Sequence, residues 1–280
     1  MKQCRMIPGK RGVLVCLLGG LILRPLLWAP PLSAQSASPA MIRVEGGGFL
    51  MGSNEEPYGA GERVHRVSLS SFFMGETEVT QGLWKAVMGD NPSRFAGDDR
   101  PVDSVSWFDA VRFCNTLSEK EGLEPAYEIA GNAVVWNRGA GGYRLPTESE
   151  WEYAARGGLR GAVASEALGR SFYAGGENAA DIGWYDANSG RTSQPVKGKA
   201  PNSLGLYDMS GNLWEWCWDY YGEYPREPVT DPEGPAESSR RVLRGGAWFT
   251  PVNLLRVTNR YWNVPGFKAN SVGFRLARNG

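Results

Sequence analysis

The chain has 280 residues, 42% of them hydrophobic and 11% aromatic, which is enough apolar material for a real core and excludes a disordered or fibrous chain. Its 30 bases balance its 30 acids, but five of the bases and none of the acids lie in residues 1–34, so the remainder carries a net charge of −5. With no basic stripe, nucleic acid is excluded as the natural partner.

The chain begins as a targeting segment does. Lys2, Arg5, Lys10 and Arg11 precede an apolar run from Val13 to Ile22, and Pro30 and Pro31 end the segment before Leu32-Ser33-Ala34. This is the layout of a secretory signal peptide over 1–34, with cleavage after Ala34. A membrane anchor is one alternative, although Arg24 and the prolines interrupt the run short of the ~20 residues a spanning helix needs. Lipidation at Cys16 is another, and would be the chain's only link to a membrane. Residues 35–41 read as a linker and 42–280 as one domain of an exported protein, displayed at the surface, secreted or periplasmic. Of the 4 cysteines, only Cys114 and Cys217 follow the leader; export permits a disulfide, and sequence leaves its geometry open.

Within the domain, 42–52 predicts strand, turn and strand, and Val64–Phe73 one further strand. Thr80 is placed to cap a helix over Gln81–Met88 that Gly89 ends. Ser106 caps a longer helix, with Asp109 in its first turn and Trp107, Ala110, Val111, Cys114 and Leu117 on one face. Thr147-Glu148-Ser149-Glu150 is a capping-box pattern, and the helix it starts stops at Gly157-Gly158. Beyond 158 helices fade. Residues 222–241 read as an exposed proline-rich excursion, and Arg241–Trp248 and Val272–Leu276 as the last two strands. The pattern predicts an α+β domain with much irregular structure.

Four segments carry a family resemblance. They are Gly48-Phe49-Leu50-Met51-Gly52-Ser53; Gly142–Glu148 running into Glu150–Gly158; Gly205–Met209 through Gly211-Asn212-Leu213-Trp214-Glu215-Trp216; and Arg244-Gly245-Gly246 with Gly273-Phe274-Arg275. Together they resemble the formylglycine-generating-enzyme (sulfatase-modifying factor) domain over about 42–277, which implies a C-type-lectin-like fold. Fold alone does not carry activity. The family's oxidase uses a copper-binding cysteine pair shortly after Arg-Gly-Gly. Here the matching positions fall near Thr250 and Leu255, and no cysteine follows Cys217. The related iron-dependent sulfoxide synthases need several histidines, and this chain has one, His65, read as structural. The resemblance therefore implies a non-catalytic member with no redox cofactor. It also implies structural calcium at Asp208, Gly211, Leu213 and Glu215, with a second set at Asn178 and Asn188. The alternative for Glu215 is an ion pair with Arg244 or a turn cap. Trp214 and Trp216 read as core.

The carboxy-terminal segment carries the functional expectation. A framework of Arg244, Gly245, Gly246, Arg256, Val257, Asn259, Arg260, Pro265, Asn270, Gly273, Phe274 and Arg275 alternates with residues of every chemical type. This resembles the variable region of proteins diversified by retroelements, in which a fixed scaffold displays changeable side chains. Many of the interspersed residues are reachable from an asparagine codon by changing adenines; Trp262 is not. The expected ligand site is Trp248, Phe249, Thr250, Val252, Leu254, Tyr261, Trp262, Val264, Gly266, Phe267 and Lys268, facing an unidentified protein or small ligand. Aromatics dominate such surfaces because they give large contact area for little lost entropy. The competing readings are a binding or accessory protein of the same fold with a fixed surface, and a metal-dependent oxidase or sulfoxide synthase.

Overall fold

The computed structural model describes residues 38–54, 61–161 and 172–280. The leader assigned to 1–34 and the first linker residues lie outside them. Strand β1 (Met41–Val44) takes in Met41, one residue before the expected start, and β2 (Gly47–Met51) follows.

The single strand expected over 64–73 is two, β3 (His65–Leu69) and β4 (Phe72–Glu78). They part at Ser70, whose backbone N–H and hydroxyl both donate to the distant Asp231 (2.7 and 2.8 Å). Ser70 is thereby held by a side chain instead of a ladder, and the two strands enter different sheets. β3 joins β2 and the two-residue β8 (Val229–Thr230), the one point where the proline-rich excursion returns to a sheet; β4 lies between β1 and β12 (Arg275–Asn279).

The three helices form where local signals place them. Thr80 caps α1 (Gln81–Met88), which ends at Gly89 with φ 86°. Ser106 and Asp109 close a capping box on α2 (Trp107–Lys120), as Thr147 and Glu150 do on α3 (Glu148–Ala155). A hairpin of β5 (Tyr127–Ala130) and β6 (Ala133–Trp136) follows α2, and a single helical turn forms at Ala179–Ile182.

The centre is a four-stranded sheet in the order β10 (Arg260–Asn263), β9 (Arg241–Arg244), β7 (Trp214–Tyr220), β11 (Val272–Gly273). Two of these strands, β7 and β10, were not expected. Along β7, Trp214, Trp216 and Trp218 face one way, and Glu215, Cys217 and Asp219 the other, as period two requires. The tryptophan side packs toward α2, where Trp107 Nε1 donates to the Cys217 carbonyl (3.0 Å) and Trp216 Nε1 to that of Val105 (3.1 Å). The acidic side meets α3, where Trp151 Nε1 donates to Glu215 (2.7 Å) and the Glu148 N–H to Asp219 (2.8 Å). The core is accordingly divided across β7, with a small third cluster at Tyr173, Ala179, Ile182 and Leu255. Cys114 belongs to the α2 side and Cys217 to the α3 side, and both thiols are free.

Ser106→Ala removes one cap hydrogen bond and is expected to lower unfolding free energy by about 1 kcal/mol. Gly211→Ala is expected to cost more, because its φ is 96° and an added Cβ would stand 2.2 Å from the Trp184 carbonyl. Urea unfolding of the two variants checks the ranking, and equal midpoints would show that the Gly211 turn relaxes freely.

Candidate functional site

The carboxy-terminal segment is held from below by four arginines. Arg244, fully buried, donates to Glu152 (2.6 Å) and to the carbonyls of Val257, Thr258 and Asn259 (2.8, 2.9 and 2.9 Å). Arg256 holds both oxygens of Glu62 (2.9 and 3.0 Å) and the Thr258 hydroxyl. Arg260 clamps Glu148 (2.6 and 2.7 Å), reaches the carbonyls of Gly61 and Gly222, and lies over the Tyr224 ring. Arg275 clamps Glu215 (2.6 and 2.7 Å). These two-pronged contacts suit a planar guanidinium. Burial by itself would lower the Arg244 pKa, but Tyr224, Glu152 and Glu148 around it push it above its ordinary range. Burial raises the Glu152 carboxyl, and Arg156 and Arg244 overcome that and hold it low.

Most of the expected ligand residues between these anchors reach the surface, while Ala247, Leu255, Val257 and Thr258 are buried. Phe249 is 51% exposed, Val252 40%, Tyr261 48% and Val264 49%. Gly266 and Lys268 are also exposed, and Trp248, Leu254, Trp262 and Phe267 are half-buried. Thr250 departs from this set. It is 2% exposed, and its Oγ1 accepts from the Ala247 N–H (2.9 Å), so it closes a turn instead of meeting solvent. Phe267 packs on the α2 side of the core, and Lys268 pairs with Asp109 (2.7 Å).

Other segments extend the face. Tyr261 lies against Trp214 (ring centroids 5.2 Å), and Trp262 near Tyr221 (6.1 Å) with the Arg240 guanidinium over its ring (3.5 Å). Trp248 sits between Phe95 and Phe249 (5.6 and 5.3 Å). Its Nε1 donates to the Asn270 carbonyl, and the Trp214 N–H to that of Ser271, which brings the two groups side by side. Sequence reasoning missed Phe95, Trp214, Tyr221 and Arg240. The alternation of 214–220 could have placed Trp214, whereas Phe95 and Arg240 carry no local signal. Three cavities of about 570, 390 and 300 Å³ occur elsewhere, and of residues 248–268 only the buried Arg260 lines one.

The expected calcium ligands are placed differently. Both Glu215 oxygens are taken, by Arg275 and by Trp151, so its partner is Arg275 and not Arg244. A cation there would face a guanidinium. Asp208 Oδ2 accepts from the Lys197 N–H, and only its buried Oδ1 lacks a partner; burial raises its pKa to about 6. Gly211 turns with positive φ, its N–H donating to the Gly245 carbonyl, and the Leu213 N–H donates to Glu78. Asn178 Oδ1 caps the single turn at 179–182, and Asn188 Oδ1 accepts from the Tyr185 N–H. Of the two expected carboxylates, Asp208 keeps one buried oxygen without a partner, and Glu215 is committed to Arg275 and Trp151. Among the described residues no three His, Cys, Asp or Glu side chains are grouped to hold a metal. His65 is buried against Tyr224 (4.7 Å).

The sulfatase-modifying factor enzyme 1-like domain matches residues 29–280, and the chain belongs to this family. It is 36% identical over 272 residues to a Paenibacillus barcinonensis protein named chaperone protein LppX, with 85% of this chain and 87% of that one covered. It is 34% identical over 292 residues to the formylglycine-generating enzyme of Streptomyces coelicolor, with 88% and 91% covered. Treponema denticola variable protein 1 superposes with a TM-score of 0.77 at 36% identity, over 86% of this chain and 95% of that one. The fold is thus the α+β, C-type-lectin-like one that the motifs implied. No helix among the described residues is long and apolar enough to cross a membrane.

Glu152→Gln leaves buried guanidinium charge uncompensated and is expected to cost roughly 3–5 kcal/mol, against under about 1 kcal/mol for the displayed Tyr261→Ala. Chemical denaturation compares them, and a mild Glu152→Gln would mean that Arg244 does not depend on its carboxylate. Millimolar calcium is expected to leave the melting temperature unchanged; a rise of several degrees would show that Glu215 gives up Arg275 for the ion.

Proposed function

We propose that the protein is an exported, surface-displayed binding member of this family, whose ligand site is the face built from residues 248–268. One observation carries the reading: in the carboxy-terminal segment the framework arginines point inward to carboxylates, while the residues expected to meet a ligand, Thr250 apart, reach the surface. Such a division lets displayed side chains change without disturbing the fold. It is what a retroelement-diversified segment requires, and the likeness to a protein named variable protein 1 supports it. Phe249, Tyr261 and Trp262 supply the aromatic contact area on which binding energy concentrates.

The oxidase reading lacks its copper-binding cysteine pair. Leu255 is buried beside Tyr173 and Ile182, and Thr250 closes a turn. Burial pushes both the Cys114 and Cys217 thiols up, so neither presents a thiolate at neutral pH. The likeness to a protein named chaperone LppX favours a second version, a fixed surface on an envelope accessory protein.

Tyr261→Ala and Trp262→Ala are expected to abolish capture of the ligand from intact cells or their secretions while the melting temperature stays within a few degrees. Unchanged capture, or copper or iron retained stoichiometrically by the purified protein, would overturn the reading. A near-copy of the gene's end with mismatches at adenines, beside a reverse transcriptase, is expected in the encoding genome, and its absence leaves the fixed surface.

A further inference from the structure

Strand β10 is the outer strand of the central sheet. Its inner side pairs with β9, from Arg260 opposite Arg244 to Asn263 opposite Arg241. In an antiparallel strand, alternate residues turn their N–H and C=O away from the partner. Among the described residues no backbone group meets those outward groups of β10. The edge of β12 is treated differently: Arg144 and Ala277 exchange reciprocal backbone hydrogen bonds there (2.9 and 2.7 Å). Residues 260–263 contain no lysine, proline or bulge, the usual devices that blunt an edge. The rings of Tyr261 and Trp262, 6.3 Å apart and nearly parallel, flank the open side.

The charge around this edge is unbalanced although the domain is acidic overall. Arg240 is exposed over Trp262 and, among the described residues, has no carboxylate at ion-pair distance. Arg241, opposite Asn263, is buried among Trp107, Tyr220 and Trp218 (3.9, 3.5 and 5.0 Å). It donates to the Trp218 carbonyl, but among the described residues its Nε has no partner and no carboxylate lies at ion-pair distance. Burial lowers its pKa to about 10, outweighing the opposite pull of Tyr220 and Asp219. The nearby Lys268 and Arg112 both pair with Asp109, leaving one carboxylate between two cations. None of the three cavities is lined by Tyr261, Trp262 or Arg240, and small-molecule sites are concave.

The geometry points to strand addition: a partner lays an extended, acidic polypeptide segment along the open edge of β10 as a fifth strand. Its alternate side chains pack against Tyr261 and Trp262, and its carboxylates meet Arg240 and the field of Arg241. This rests on the binding-face reading and names the partner class for it. Main-chain hydrogen bonds supply affinity and the flanking side chains selectivity. A diversified segment gains from this division, since backbone pairing survives changes in the residues beside it.

The test uses the full chain and a displayed library of random dodecapeptides. Acidic sequences are expected to be enriched. The best peptide, resynthesised with single backbone N-methyl groups, is expected to weaken by about tenfold or more at every second position and little at the positions between. Arg240→Glu is expected to weaken it by about tenfold and to flatten its salt dependence, and the peptide is expected to slow amide exchange within 260–263. Enrichment of basic or helical peptides, N-methyl sensitivity without alternation, or no enrichment would overturn strand addition. A non-peptide ligand lost on Tyr261→Ala would sink it too while leaving the binding face standing. Peptide binding indifferent to both Tyr261→Ala and Trp262→Ala would sink the two readings together.

Discussion

Helix α3 brings three carboxylates into the interior, and the rest of the structure is organised around neutralising them. All eight of its residues are buried, so it has no wet side on which Glu148, Glu150 and Glu152 could be left. An unpaired carboxylate in such a place is prohibitively unfavourable, so each needs a guanidinium of its own. Glu148 has Arg260, Glu150 has Arg144, and Glu152 has Arg156 and Arg244. These arginines come from four separate parts of the chain. Satisfying one helix therefore fixes the end of β9, the start of β10 and the segment before the helix in a single arrangement. Buried pairs of this kind add little net stability compared with apolar packing, but a wrong register leaves a charge stranded. Their use here is to specify which arrangement forms.

That constraint explains what could be read from the sequence. Caps were legible because capping is a rule among four neighbouring residues: Thr80, Ser106 and Thr147 each start a helix where their side chains say, the last two through a capping box. The break between β3 and β4 was not, because it depends on Asp231, 161 positions beyond Ser70. Strand β7 was hidden for a different reason. Its alternation of tryptophan with acid or cysteine is plain, but both faces are buried, so it lacks the polar side that marks a surface strand.

The site divides in the same way. The outward set at 248–268 could be listed because framework and interspersed residues differ in chemistry. Why the framework residues face inward could not, because Arg256 finds Glu62 across 194 positions and Arg260 finds Glu148 across 112. Glu215 shows the limit most clearly. Arg244 is its Cα partner across the ladder, yet Glu152 claims that arginine and Arg275 turns in to Glu215 instead. Two residues opposite each other in a sheet need not be partners when a third carboxylate approaches from a helix. The same exchange uses up the Glu215 oxygens that the calcium expectation required.

Display on this scaffold is graded and not uniform. Val252 and Val264 are exposed outside the strands, and Phe249, also exposed, leans only its ring on Trp248. Tyr261 and Trp262 sit on a strand, where period two fixes which face each side chain takes, so a substitution changes chemistry but not direction. Phe267 leans on the α2 core and Lys268 is tied to Asp109, so changes at either reach the scaffold. Thr250 stands at the far end of this scale. Its hydroxyl accepts from the Ala247 N–H one residue after the two positive-φ glycines, Gly245 and Gly246. Only a short side chain with an acceptor oxygen keeps that turn closed, which restricts the position to serine, threonine, aspartate or asparagine. A segment can therefore be variable as a whole while one of its positions is held by a single backbone hydrogen bond, and position 250 is where variation should stop.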